Sequence, residues 1–196
     1  MMTKGEKTRQ FIIEQSAVLL NKKGMAGTSV SDIMEATKLA KGGIYGNFQN
    51  KEEICQEVFS YLYARLSKRI DAKLQEHHSY KGKLLALLDF YEDTTPMEKA
   101  GGCPMINFGA EADDTDQEMR ARVATAIKAS QARITRLVAG GIANGEFSAS
   151  INPQAFAAKM FAMYEGAVLV CKVLDNNEQM RIITDALRQE INAFST

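Results

Sequence analysis

The chain is 196 residues long, 45% hydrophobic and 24% charged, with 24 Lys+Arg against 24 Asp+Glu. That is ordinary composition for one large globular domain or a small one joined to a larger one, and no uncharged apolar run reaches the ~18 residues that a membrane span needs. Cys55, Cys103 and Cys171 are odd in number and far apart, which argues against a disulfide frame or a zinc pairing and for reduced thiols in the cytoplasm; the opening Met1–Gln10, without an apolar stretch, reads as no secretory signal.

The predicted elements are all helices. Thr3-Lys4-Gly5-Glu6 is a capping-box pattern, in which a hydroxyl and a carboxylate each satisfy an orphan backbone N–H. Apolar residues follow at Ile12, Ile13, Ala17, Leu19 and Leu20, a helical stripe that ends at Gly24. Thr28 or Ser29 can cap a short second helix through Ala36, and Thr37-Lys38-Leu39 turns tightly into a third short helix near 41–45. Asn50-Lys51-Glu52-Glu53 starts a longer fourth helix reaching about Gln75. The segment 80–94 carries Leu84, Leu87, Leu88 and Tyr91 at helical spacing and stops before Pro96. Gly101-Gly102-Cys103 reads as a loop opening a short helix with Pro104 in its first turn. Thr115-Asp116-Gln117-Glu118 is another capping box, and its helix runs to Asn144-Gly145. Asn152-Pro153 opens a helix that is apolar on nearly every side from Phe156 to Leu174, and an amphipathic last helix covers about 178–194. No strand-like alternation, repeat or low-complexity tract is present, so the fold class is all-α.

Charge is unevenly placed. Residues 1–73 carry 12 Lys+Arg against 8 Asp+Glu, net +4, and the remainder carries 12 against 16, net −4. A polyanion would therefore be met at the front. The informative segment there runs from Thr28 to Ile54. A helix-turn-helix needs a supporting helix, a tight turn and a second helix whose outer face enters the major groove. Ile33, Ala36, Leu39, Ile44 and Phe48 supply an inward apolar set, while Lys41, Gly42, Gly43, Tyr45, Gly46 and Asn47 face outward. Two adjacent glycines cost a helix about 1 kcal/mol each relative to alanine. A purely structural helix has little reason to carry that cost, whereas the missing Cβ atoms let a backbone approach a phosphate or base edge.

On these residues the chain resembles the tetracycline-repressor (TetR/AcrR) family of regulators. The matching positions are Thr28, Asp32-Ile33, Lys41-Gly42, Tyr45, Phe48 and Lys51-Glu52-Glu53, within a match over about residues 4–60. The resemblance implies a three-helix DNA-binding domain, here 1–50, followed by a six-helix ligand-binding and dimerisation domain, here 51–196, with the helix 51–75 linking them. The sequence departs from the family pattern at Ala40, where Ser or Thr is usual, at Gly43, which replaces a commoner side-chain donor, and at Gly46, which replaces a commoner aromatic or His. Those changes leave fewer base-reading groups. By resemblance and chemistry together, Thr28, Tyr45 and Lys51 are expected at phosphates and Lys41 and Asn47 at base edges. Gly42 and Gly43 permit close approach, Ser29 and Gly46 belong to the same surface, and Phe48 is core.

A reader of two half-sites needs a dimer. The 156–174 segment is broken by charge only at Lys159, Glu165 and Lys172; it reads as a central core helix, as one side of a four-helix interface built with the last helix across a two-fold axis, or as both. Gly166 would allow close helix approach. An effector pocket is expected among Tyr61, Phe90, Cys103, Met105, Phe108, Met160, Met163 and Tyr164, residues that also suit plain core. Cys103, at a helix start, reads either as an electrophile or oxidant sensor, as in some relatives, or as an inert packed thiol. His77-His78 is adjacent rather than i, i+4, and no metalloprotease, nucleophile-elbow, P-loop or dinucleotide motif is present, so neither enzyme activity nor a cofactor is expected. The acidic stretch 111–116 supplies negative charge to a helix start or, alternatively, holds a cation. The sequence thus points to a cytoplasmic, homodimeric, ligand-responsive transcription regulator, most simply a repressor, that binds double-stranded operator DNA and a small-molecule effector. The competing reading is a helical small-molecule or redox-sensing protein without operator recognition.

Overall fold

A computed structural model describes residues 2–93 and 101–196, which form nine α-helices and no β-strand beyond one isolated bridge between Phe147 and Ser195. The helices are α1 (Lys4–Lys23), α2 (Val30–Thr37), α3 (Lys41–Tyr45), α4 (Lys51–Gln75), α5 (Tyr80–Glu92), α6 (Pro104–Ala112), α7 (Gln117–Ala143), α8 (Pro153–Leu174) and α9 (Glu178–Phe194). The all-α expectation holds. Most boundaries follow the capping chemistry of the sequence. At α1 the Thr3 hydroxyl accepts the Glu6 N–H at 3.2 Å while the Glu6 carboxylate accepts the Thr3 N–H at 2.6 Å. Asn152 caps α8 through the Ala155 N–H at 2.9 Å, with Pro153 at the first helical position. The expected end of α5 at Thr94–Pro96 lies outside the described residues.

One cap differs from expectation. The α7 cap is Asp116, whose carboxylate accepts the Met119 N–H at 2.9 Å, and not Thr115. The Thr115 hydroxyl turns back to the Glu111 carbonyl and closes the end of α6 instead. A carboxylate at a helix N-terminus also gains from the positive end of the helix dipole, which a hydroxyl does not.

The chain packs as two compact units. One comprises the described residues of Met1–Leu66 and Ala100–Ala124, the other those of Ser67–Lys99 and Thr125–Thr196. The expected functional boundary at residue 50 falls inside the first unit. That unit is cored by Ile12, Leu20, Ile33, Ile44, Ile54, Phe59 and Phe108, with the Phe59 and Phe108 rings 5.6 Å apart.

In the second unit Leu84, Leu87 and Leu88 of α5 are buried with Met160 and Leu187, and Tyr91 stacks on Tyr164 with ring centroids 3.9 Å apart. A carboxylate from Glu146 caps α5 in trans, accepting the N–H groups of Tyr80 at 3.1 Å and Lys81 at 2.9 Å. The apolar helix has a buried face, as the core reading expects, and a separate exposed apolar face. Phe156, Met160, Phe161, Tyr164, Ala167, Val168 and Cys171 of α8 are buried, whereas Leu169, Val170, Val173 and Leu174 lie exposed on the same helix.

Candidate nucleic-acid interface

The first unit builds a short helix pair on α1. Ser29 caps α2: its hydroxyl accepts the Asp32 N–H at 3.1 Å, and its own N–H donates to the Asp32 carboxylate at 2.7 Å. Lys23 reaches the other carboxylate oxygen at 2.8 Å. That ammonium first, then the Ser29 hydroxyl and N–H, holds the Asp32 carboxyl far below the ordinary carboxylate range. Because its pKa is lowered, this brace is complete above the ordinary aspartate value and is lost only as pH falls through the lowered one. The turn after α2 places Lys38 in the left-handed region at φ +58°. The Thr37 hydroxyl donates to the Ile33 carbonyl at 2.8 Å and accepts the Leu39 N–H at 3.3 Å, which tightens the same turn. Buried Ile33, Ile44 and Phe48 then fix α3 against α2 and α1.

Of the six residues expected to face outward on and just after α3, four are exposed. Lys41, Gly42, Tyr45 and Gly46 are exposed, Gly43 and Asn47 half-buried. The Lys41 ammonium lies 5.8 Å from the Tyr45 ring centroid, one turn along the same face. Ala40 caps α3 without any side-chain hydrogen bond. A Cβ at Gly42 would meet no atom of the chain within 4 Å, one at Gly43 would rest on the Leu39 Cβ at 3.5 Å, and one at Gly46 would press the Gly42 carbonyl at 3.0 Å. Nothing inside the protein therefore demands a glycine at 42. The Asn47 amide donates to the Gly43 carbonyl at 2.9 Å, which leaves its side-chain oxygen as the group with acceptor capacity.

Two expected phosphate groups have structural duties. Thr28 is fully buried and its hydroxyl donates to the Gly24 carbonyl at 2.7 Å. That hydroxyl closes the turn between α1 and α2 and does not point to solvent, a correction to the sequence reading. The Lys51 ammonium donates to the carbonyls of Met25 at 2.9 Å and Thr28 at 3.1 Å. These bonds use two of its three donors. Ser29 keeps an exposed position at the cap of α2.

Sequence reasoning missed Arg9. From α1 its guanidinium donates to the Asn47 carbonyl at 2.6 Å and to Glu53 at 2.7 Å, and it lies 4.2 Å from the Phe48 ring centroid. It thereby ties the end of α3 to the start of α4. A basic residue among others at the start of α1 carries no signal of such a role; only the fold brings 9, 47 and 53 together. An open cleft of about 820 Å³ in the same unit is lined by Lys51, Glu52, Cys55, Glu111, Asp116 and Glu118 among others. Its wall is mainly acidic, with Lys51 as the basic side chain in the lining.

The residues expected around an effector divide between the units. Tyr61, Cys103, Met105 and Phe108 belong to the first, and Phe90, Met160, Met163 and Tyr164 to the second. Cys103 stands at the N-cap of α6 and is buried with Met105 and Phe108, while Arg65 donates to the Tyr61 hydroxyl at 3.1 Å. In the second unit Met160 and Tyr164 are buried, Met163 and Phe90 half-buried, and Arg69 covers the Phe90 ring at 5.1 Å. Burial pushes the Cys55 thiol up to about 11, which leaves it protonated and unreactive near neutrality.

Comparison with known proteins gives a consistent result. Residues 12–58 match the family described as bacterial regulatory proteins, tetR family, and residues 81–187 match the tetracyclin repressor-like C-terminal domain. A TetR-family transcriptional regulator from Cytophaga hutchinsonii superposes with a TM-score of 0.95 at 34% identity, over 100% of this chain and 98% of that one. A TetR transcriptional regulator from Chloroflexus aurantiacus gives 0.93 at 34% identity, over 99% and 98%. The transcriptional repressor NemR of Escherichia coli is 23% identical over 194 residues, 96% of this chain and 94% of its own.

Proposed function

The chain belongs to the tetR family of bacterial regulatory proteins, which are DNA-binding, ligand-responsive transcription regulators and not enzymes, and on that premise we propose how this member works. It acts as a cytoplasmic homodimeric repressor whose two α3 helices enter successive major grooves of a pseudo-palindromic operator. Residues 1–50 read the DNA and residues 51–196 bind the effector and the second protomer. The observation that carries this reading is the α3 face, where Lys41 and Tyr45 flank a glycine whose missing side chain no atom of the protein accounts for. Lys41 and the Asn47 side-chain oxygen meet base edges, with Gly42 and Gly43 giving close approach and Gly46 keeping the end of α3 slim. Tyr45, the Ser29 end of α2 and the remaining N–H of Lys51 meet phosphates; Thr28 shapes the turn beneath them. An effector held by the Cys103, Met105 and Phe108 group or the Met160, Met163 and Tyr164 group favours a head separation that misfits the half-sites.

The test is selection of duplexes from a random-sequence pool by the full-length protein, followed by mobility-shift titration. The expected result is enrichment of an inverted repeat; a monomer that prefers no duplex over random competitor defeats the reading. In the same assay Lys51→Ala is expected to weaken binding to every duplex and to lower the slope of log affinity against log salt by about one. An unchanged slope would assign Lys51 to the turn alone.

The Cys103 thiol is the candidate for chemical sensing. N-ethylmaleimide is expected to release wild-type protein from its selected duplex and to leave Cys103→Ser bound. Equal release of both would remove the sensor role.

A further inference from the structure

We propose that Glu111 of α6 is a positioning residue for DNA recognition, holding the turn between α1 and α2 from outside the helix-turn-helix; the inference rests on the DNA-binding reading above. The two carboxylate oxygens of Glu111 accept the N–H groups of Met25 at 2.9 Å and Ala26 at 2.8 Å. The peptide that joins Met25 to Ala26 is thereby gripped on both sides, its N–H by Glu111 and its C=O by the Lys51 ammonium at 2.9 Å. Gly24 shapes the turn for this visitor. It takes φ +80°, and a Cβ there would stand 2.3 Å from the Glu111 carboxylate, so both backbone and approach require glycine.

One turn earlier on the same face of α6, the Asn107 amide donates to the Asn21 carbonyl at 2.9 Å and to the Asn21 side-chain oxygen at 3.0 Å. Asn21 in turn donates to the Gly102 carbonyl at 3.0 Å. Hydrophobic contacts tolerate sliding, but directed hydrogen bonds to backbone groups fix a register. α6 is therefore locked to the last turn of α1 and the three residues beyond it. α2 begins at Val30, two residues after the buried Thr28, and carries α3 through Ile33 and Ile44. The direction in which α3 points is set at this turn, and Glu111 and Lys51 set the turn.

The experiment uses the full-length protein and the isosteric variant Glu111→Gln, whose amide can accept only one of the two N–H groups. In the absence of DNA, exchange of the Met25 and Ala26 amides is expected to quicken by about tenfold while the capped Asp32 amide is unchanged. With the duplex selected by wild type, affinity is expected to fall by about tenfold, and affinity for random duplex to stay within about twofold. A merely structural role would lower both affinities together through a smaller folded fraction, and that outcome overturns the proposal. So does an unchanged preference for the selected duplex, or unaccelerated exchange at Met25 and Ala26. Should the glutamine variant not fold, Glu111→Asp reads the same affinity ratio and is expected to lower it. A wild-type protein that enriches no duplex overturns the parent reading, which the exchange measurement, made without DNA, keeps separate from the clamp.

Discussion

Gly42→Ala is expected to stabilise the free protein while weakening its hold on the selected operator by about tenfold or more. The two effects have opposite signs because they act on different states. In the free protein, position 42 opens onto empty space and its φ is not in the left-handed region. An alanine there adds no clash and removes the helix penalty of glycine, about 0.5–1 kcal/mol, which raises Tm by about 1–4 °C for a chain of this size. On DNA the same methyl projects from the exposed face of α3 toward the groove, where each good base contact contributes about 1–3 kcal/mol. Gly42→Leu is expected to abolish specific binding with the fold intact. Thermal unfolding and mobility shifts on one preparation check both halves. A variant that gains stability and keeps full affinity would show that α3 does not face the duplex at this residue.

Val173→Asp is expected to leave a folded monomer that no longer binds the operator tightly. Val173 is 74% exposed, Leu174 59% and Ile182 on α9 55%, and Leu169 and Val170 extend the strip by a turn. These exposed apolar residues lie on two helices that pack against each other, and the proposed dimer buries them. Gly166 on α8 is also exposed, with open space where its Cβ would be, so a second helix can come close. A carboxylate forced into that contact without a partner costs several kcal/mol, and by symmetry the cost falls on both protomers. In the separated protomer the aspartate sits in water and costs little, so the helix content is kept, and Tm falls by the stabilisation that association supplied. Loss of the second head removes the effective-concentration advantage of paired half-sites, a factor of about 10² or more in affinity. Sedimentation velocity and operator titration are the measurements. A dimeric variant with undiminished binding would place the two-fold contact elsewhere.

Much of this molecule was readable from residue order. Capping chemistry located the helices because it acts within four residues: the Thr3/Glu6 box, the Ser29 cap, the Asn152-Pro153 start and the Asn144-Gly145 stop need no distant partner. The α3 surface was readable for the same reason, since a five-residue helix between a tight turn and Phe48 has only one way to face its apolar residues inward. The choice of Asp116 over Thr115 as the α7 cap was not, because two adjacent candidates differ only in what the end of α6 takes up first.

The roles of Thr28, Arg9, Lys51 and Glu111 lie beyond any local pattern. Each is a polar residue whose partner is a backbone group, and backbone groups carry no signature in a sequence. Thr28 reaches back only four residues, yet whether its hydroxyl turns inward depends on the packing around it. The carboxylate of Glu111 meets its N–H partners 85 and 86 residues away, and Lys51 meets its carbonyls 23 and 26 residues away. The sequence alone therefore determined the helices, the fold class and the solvent-facing side of α3, because those follow from short-range periodicity and capping. Only the tertiary structure decided which charged residues stay outside for a ligand and which are drawn in to hold a turn, because that choice depends on where unsatisfied backbone groups lie once distant helices have packed.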